Sequence, residues 1–169
     1  MVSRSPRPAG RCRLTTPMDS GRIAAQWQGR ELASSLALLG RAALTHGDLP
    51  RATVLLDRAL SLYGDLRDER GIVASLEGLA GILVARGWPA GALVTLGAAD
   101  AHRRALGLVA STSDRDVGEG TIRAARAGLD SEAANRAWST GTHTSLDDAM
   151  VRARGELASL TAPDGGQPS

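Results

Sequence analysis

The sequence contains no lysine and no phenylalanine, and it has a single cysteine and a single tyrosine. The absence of lysine excludes a Walker-type phosphate loop, and it excludes catalysis by a Schiff-base or general-base lysine. The lone thiol, Cys12, cannot form a disulfide within the chain, which is typical of a reducing compartment. No apolar run approaches the roughly 18 residues that a membrane span needs, and no signal peptide follows the basic start. We therefore expect a soluble, cytoplasmic protein.

Aromatic residues make up only 2% of the chain, whereas 43% of its residues are hydrophobic. The core must therefore be built from Leu, Ala, Val and Ile. Strands draw on aromatic and β-branched residues, so this composition favours close packing of helices over a sandwich or barrel. A length of 169 residues is that of one domain with tails. We predict an all-α fold.

The charge is unevenly distributed along the chain. All 20 basic residues are arginines, and five of them lie in residues 1–22 with one aspartate, whereas acids outnumber arginines in the remainder. The remainder therefore lacks the basic surface that duplex binding needs, and nucleic acid is not an expected partner. The Pro- and Gly-containing segments 1–21 and 161–169 are predicted to be a disordered leader and tail around a helical domain at 22–160. An alternative is a DNA-associated regulator that acts through the Arg-rich leader.

A repeat with a spacing of 40 residues runs through the first part of this domain. Eight positions of one copy recur in the next, all as small or apolar residues. The first copy contains Leu36, Leu39, Gly40, Ala43, Gly47, Ala52, Leu56 and Ala59, and the second contains Leu76, Leu79, Ala80, Leu83, Gly87, Ala92, Leu96 and Ala99. Repetition at such a period predicts one structural unit per copy.

Each copy is predicted to be a helical hairpin. Gly47 and Gly87 suit the left-handed residue that ends a helix, and Asp48 can cap the helix that follows. Apolar residues at three- and four-residue spacing predict the inward faces. These are Leu32, Leu36, Leu39 and Ala43, then Ala52, Leu55, Leu56, Ala59 and Leu62, then Ile72, Leu76, Leu79 and Leu83, then Ala92, Leu93, Leu96 and Ala99. Small residues at Gly40, Ala52, Ala80 and Ala92 are expected to let paired helices approach closely.

This pattern of large, small and glycine positions resembles the tetratricopeptide family, with repeats at about 31–66 and 71–106. The segment from Leu62 to Leu79 also resembles repeats of large bacterial LuxR-type ATPase regulators. Closing helices are predicted at about 114–128, 130–139 and 146–160, and their residue order resembles the closing segment of those regulators, although a phenylalanine usual near Ala134 is absent. The resemblance implies tandem antiparallel hairpins in a solenoid, and a chain that corresponds to the end of a longer regulator.

Solenoids of this kind bind partners on the concave face formed by the first helix of each hairpin. The resemblance therefore implies a non-catalytic protein-interaction or sensor scaffold. Its expected partners are another protein, the parent domains or a second copy of the chain. The partner-binding residues carried over from the family are Arg41, Leu44, Thr45, Glu77, Gly81 and Val84.

No residue cluster predicts a catalytic site, a metal or a cofactor. The three histidines, at positions 46, 102 and 143, are far apart in sequence and have no neighbouring ligands, so surface or capping roles are expected. The acidic pairs 68–69 and 147–148 open helices, where negative charge is favourable without any catalytic role. Gly118 and Gly120 follow no predicted strand, so they do not indicate a phosphate loop. Trp27, Trp88 and Trp138 are expected to anchor helices rather than stack a ligand.

Overall fold

The computed structural model describes residues 17–109 and 111–161 of the chain. Within these ranges the regular structure consists of seven α-helices, so the predicted all-α class is confirmed there. The helices are α1 (Pro17–Thr45), α2 (Leu49–Asp65), α3 (Glu69–Ala85), α4 (Pro89–Ala105), α5 (Thr112–Ala127), α6 (Ser131–Thr142) and α7 (Leu146–Thr161). Among the described residues, no helix is both long and apolar enough to cross a membrane.

The turns between the first four helices form as the local sequence predicts. Gly47 and Gly87 adopt φ angles of 79° and 76°. Glycine occupies this left-handed region at little cost in conformational energy, because it has no Cβ. Asp48 and Asp68 then cap α2 and α3, because their carboxylates accept hydrogen bonds from the backbone N–H groups of Arg51 and Gly71, each at 3.2 Å. These caps satisfy donors that the first turn of a helix leaves free.

Helices α1 to α4 pack one against the next. Gly29 and Gly40 of α1 lie beside Leu66 and Leu56, so α1 and α2 run antiparallel. Helices α2 and α3 do likewise, since Tyr63 lies beside Gly71 and Leu56 beside Gly78. Leu56 of α2 occupies the space beside two glycines: a Cβ on Gly40 would lie 2.7 Å from its Cγ, and a Cβ on Gly78 would lie 2.9 Å from its Cδ1. Small residues therefore set the spacing of α2 from both α1 and α3. Of the four small positions expected to do so, Ala52, Ala80 and Ala92 are fully buried and Gly40 is buried.

The second hairpin, α3–α4, forms the centre of the molecule. All the inward residues predicted for it are buried, from Ile72 in α3 to Ala99 in α4. Helix α7 packs on α3 and α4, and α6 packs on α4 through two glycines, Gly97 and Gly141. A Cβ on Gly97 would lie 2.6 Å from the carbonyl oxygen of Trp138, so the two backbones almost touch. The closing helices therefore bury the second hairpin.

The prediction that Leu32 and Leu39 point inward is wrong. Their side chains are 46% and 52% exposed, because α1 packs chiefly against α2 and α3 and no other described helix covers this side of it. Helix α1 also begins at Pro17, so residues 17–21 of the predicted leader are helical. Residues 1–16 and 162–169, to which the remaining leader and most of the tail were assigned, lie outside the described residues.

Candidate functional site

Five of the six predicted partner-binding residues lie together. Arg41, Leu44 and Thr45 of α1 and Glu77 and Gly81 of α3 line one cavity, and we call this surface the α1–α3 face. The spacing of Arg41, Leu44 and Thr45 puts them on one side of α1, and the 40-residue repeat puts Glu77 and Gly81 on the corresponding side of α3.

The two helices fit closely at this face. The Leu44 side chain lies against Gly81, where a Cβ would come within 2.8 Å of Leu44 Cδ2. Val84, the sixth predicted residue, lies one turn further along α3, is half-buried, and does not line this cavity.

The other wall of the cavity is α5. Asp114, Val117, Gly118 and Thr121 of this helix lie across the cavity from the α1–α3 face. Their three- and four-residue spacing makes one side of α5, and α5 packs on α3 and α4. One of the closing helices therefore covers part of the surface that the sequence assigned to a partner.

Two ion pairs order the charges around this cavity, and one of them joins α5 to the α1–α3 face. Arg41 Nη2 donates to Asp114 Oδ1 at 2.6 Å, which connects α1 with α5. Arg103 of α4 donates to Glu77 of α3 beside it. The two arginines and two carboxylates thus form one neutral cluster in which each acid has a cationic partner.

The two carboxylates of this cluster differ in environment. Burial raises the pKa of Glu77 above its ordinary value, and the hydrogen bond from Arg103 partly opposes that rise. Asp114 is more open, and its pKa is lowered by hydrogen bonds from the Ser111 hydroxyl and from Arg41. Asp114 is therefore held as an anion that Arg41 can bind, whereas Glu77 costs energy to keep charged and depends on Arg103.

The enclosed cavity between α5 and the α1–α3 face is small. Its volume is about 100 Å³, whereas sites for small-molecule cofactors measure roughly 300–1,000 Å³. A more open groove of about 430 Å³ lies between α4 and α5 and shares Glu77, Asp114 and Gly118 with the cavity. Helix α5 thus has open space beside it, and of its described side chains only Ala125 is fully buried. Helix α5 therefore buries few of its side chains against the surface on which it lies.

The remaining candidates from the sequence have structural roles where the chain is described. Asp68 caps α3, as above. His143 ends α6, and its ring nitrogen Nδ1 lies 2.7 Å from the carbonyl oxygen of Ser139. His102 Nε2 lies 3.2 Å from the carbonyl oxygen of Thr144, which links α4 to the turn before α7. No group of three potential metal ligands occurs among the described residues.

The tryptophans do not form a common feature. Trp138 is half-buried beneath the guanidinium of Arg126, whose carbon lies 6.0 Å from the ring centre. Trp88 covers Gly91 at the start of α4. Trp27 is 61% exposed on α1 and lines a surface pocket with Arg30 and Leu66, so it lies at the edge of the fold and not in its core. It projects from the part of α1 that extends beyond the first hairpin.

Sequence reasoning missed the contribution of α5. Gly118 was considered only as part of a phosphate loop, and Asp114 and Val117 were not singled out. The signal that could have found them is the side of α5 formed by residues 114, 117, 118 and 121, where small and apolar residues follow one acid. Its docking position still depends on Arg41 and Glu77, which are distant in sequence.

Comparisons with protein-family models, with curated proteins and with solved structures give no match for this chain.

Proposed function

We propose that this protein is a non-catalytic interaction or sensor scaffold whose α1–α3 face binds an amphipathic helix of a partner protein. The observation that carries the proposal is that α5, an amphipathic helix, already lies on this face. A surface that accepts one helix through small residues, a leucine and a single arginine can accept another of the same character. The sequence resemblance to tetratricopeptide solenoids and to bacterial transcriptional and signalling regulators supports the same class of function.

The chemistry of α5 specifies what the partner should look like. Its contact side offers an acid that pairs with Arg41, then an apolar residue and small residues that line the same cavity as Leu44 and Gly81. A partner helix should therefore carry Asp or Glu followed at three- and four-residue spacing by small or apolar side chains. Binding requires that α5 move aside, and its single fully buried side chain makes that displacement inexpensive.

The proposal can be tested with a synthetic peptide of residues 111–128 as the probe. Added to the unaltered chain, the peptide competes with a tethered copy of itself at an effective concentration in the millimolar range, so binding should be weak. In the variant Asp114→Arg, repulsion from Arg41 weakens the resident helix. We expect this variant to bind the unmodified peptide at least about tenfold more tightly, measured by fluorescence anisotropy.

Two further variants test whether the peptide binds at the α1–α3 face. Adding Leu44→Glu to Asp114→Arg should abolish peptide binding, because it places a carboxylate against the apolar side of the peptide. Adding Val151→Glu, on the exposed side of α7, should leave binding unchanged, since Val151 is 73% exposed and distant from α5. Equal binding by the Leu44→Glu and Val151→Glu chains, or no binding by any chain, would contradict the proposal.

A further inference from the structure

An uncharged stripe runs along the side of α1 that faces away from the rest of the molecule. Its members share three- and four-residue spacing and are all exposed. They are Ala25, Gln28, Leu32, Ser35, Leu39 and Ala42. Steps of three and four residues alternate along it, which is the heptad pattern of helices that pair along their length. The Ser35 hydroxyl donates to the carbonyl oxygen of Glu31 at 2.9 Å, so it needs no water partner if the stripe is covered.

The internal repeat shows what happens to the same stripe when a neighbour is present. Forty residues on, Leu32, Ser35, Leu39 and Ala42 correspond to Ile72, Ser75, Leu79 and Ile82 of α3. Their exposed fractions are 3%, 0%, 0% and 0%. Helices α2, α4 and α7 are among those that pack against α3, where these four residues are buried. The equivalent surface of α1 is therefore of the kind that this fold buries under another helix.

We propose that the stripe on α1 is a homodimer interface in which α1 of a second copy packs antiparallel against it. In a two-fold contact the same surface meets itself, which suits an uncharged stripe with two leucines and small residues between them. The interface continues the helix-on-helix packing that already joins α1, α2 and α3. It lies on a different side of α1 from Arg41 and Leu44, so it is independent of the proposed binding face.

Charge favours the antiparallel direction. Arg22 lies before the stripe on α1, and Asp48 lies just after the end of the helix, both exposed. With Leu32 of one copy opposite Leu39 of the other, Arg22 reaches the end of the second helix at which Asp48 lies. A parallel pair would instead bring the two Arg22 side chains together and the two Asp48 side chains together.

The first test is the mass of the full chain by analytical ultracentrifugation between about 1 and 100 μM. We expect a concentration-dependent dimer whose dissociation constant rises about 100-fold or more in the double variant Leu32→Glu/Leu39→Glu. Both side chains are about half exposed in the monomer, so its circular dichroism should be unchanged. Val151→Glu is the matched control and should leave the dimer intact. A monomer throughout this range, a dimer that survives the double variant, or equal loss in the control would overturn the proposal.

The second test addresses direction. In a Cys12→Ser background, Ser35→Cys places one thiol near the two-fold axis of an antiparallel pair. A short bis-maleimide should cross-link this variant into a covalent dimer and should leave a Val151→Cys chain monomeric. Ala25→Cys should not cross-link, because the two copies of residue 25 lie about 30 Å apart in this antiparallel pair. A parallel pair would cross-link both variants. Cross-linking of Ala25→Cys, or failure to cross-link Ser35→Cys in a solution shown to be dimeric, would overturn the antiparallel arrangement. Neither test involves the α5 peptide, so either proposal can fail alone.

Discussion

The hairpins α1–α2 and α3–α4 share one sequence pattern but differ in how much of it they bury. Leu79 is fully buried, whereas Leu39, its counterpart 40 residues earlier, is 52% exposed. The difference lies in the neighbours, since five described helices pack on α3, whereas α1 packs chiefly on α2 and α3. A repeated pattern thus determines which residues share one side of a helix, and the neighbouring helices determine whether that side is buried.

The second helices of the two hairpins differ in a related way. Gly97 of α4 allows α6 to approach until the backbones meet, whereas the equivalent residue of α2, Asp57, carries a charge. Asp57 instead accepts a hydrogen bond of 2.6 Å from Arg154 of α7 at the surface. Glycine at position 97 therefore permits a close backbone crossing, whereas aspartate at the equivalent position 57 forms an exposed ion pair.

The starts of these two helices complete the comparison. Asp48 caps α2, whereas α4 follows Trp88, which makes no capping hydrogen bond through its side chain. Glu156 of α7 lies over this end of α4 beside Gly91. Burial raises the pKa of Glu156 from its ordinary value, and Arg152 opposes part of that rise. The Glu156 oxygen beside Gly91 is buried and has no hydrogen-bond partner among the described residues, so it does not replace the missing cap.

The largest effect should come from truncating the equivalent leucines. Leu79→Ala leaves a cavity in a fully enclosed site and should lower the free energy of unfolding by about 2–5 kcal/mol. Leu39→Ala should cost about 1 kcal/mol or less in dilute solution, because half of that side chain is already in water. Urea unfolding of both variants measures the difference. Equal losses would show that the two hairpins are packed alike in solution.

The next effect concerns the crossing of α4 and α6. A Cβ on Gly141 would collide with the backbone of Val94, which cannot move as a flexible side chain would. Gly141→Ala should therefore cost about 1–3 kcal/mol through displacement of α6. Gly155→Ala is the control, since nothing lies within 4 Å of a Cβ on Gly155 and the helix should gain slightly. Thermal unfolding checks both, and a neutral Gly141→Ala would contradict the close crossing.

The smallest effect is the pH dependence of Glu156. Its pKa is higher in the folded chain than in the unfolded one, so ionisation costs folding energy. That penalty is absent below the ordinary pKa of 4.5 and grows as pH rises through the folded value. Glu156→Gln should thus unfold at a higher temperature than the parent near neutral pH and at a similar temperature below about pH 4. The variant Glu119→Gln, on the exposed side of α5, controls for loss of one charge, and a gap independent of pH would contradict this prediction.

Much of the local structure was predictable because it depends on neighbours in sequence. Gly47 and Gly87 end helices and Asp48 caps one, since these roles need only the residues beside them. The face containing Arg41 and Leu44 was predictable from helix spacing and the repeat. Whether that face binds a partner stays a prediction. The exposure of Leu32 and Leu39 was not predictable, because helix periodicity marks an apolar side without saying what lies against it.

The sequence by itself determined the helical class of the described residues, the turns at Gly47 and Gly87 and the buried sides of α3 and α4, since backbone conformation and periodicity are local properties. Only the tertiary structure decided that α3 lies at the centre, that α5 covers the α1–α3 face through Asp114 and Arg41, and that the stripe on α1 faces water. Those outcomes depend on contacts between residues far apart in the chain. The pair Arg41 and Asp114 is separated by 73 positions, and no local pattern specifies such a meeting.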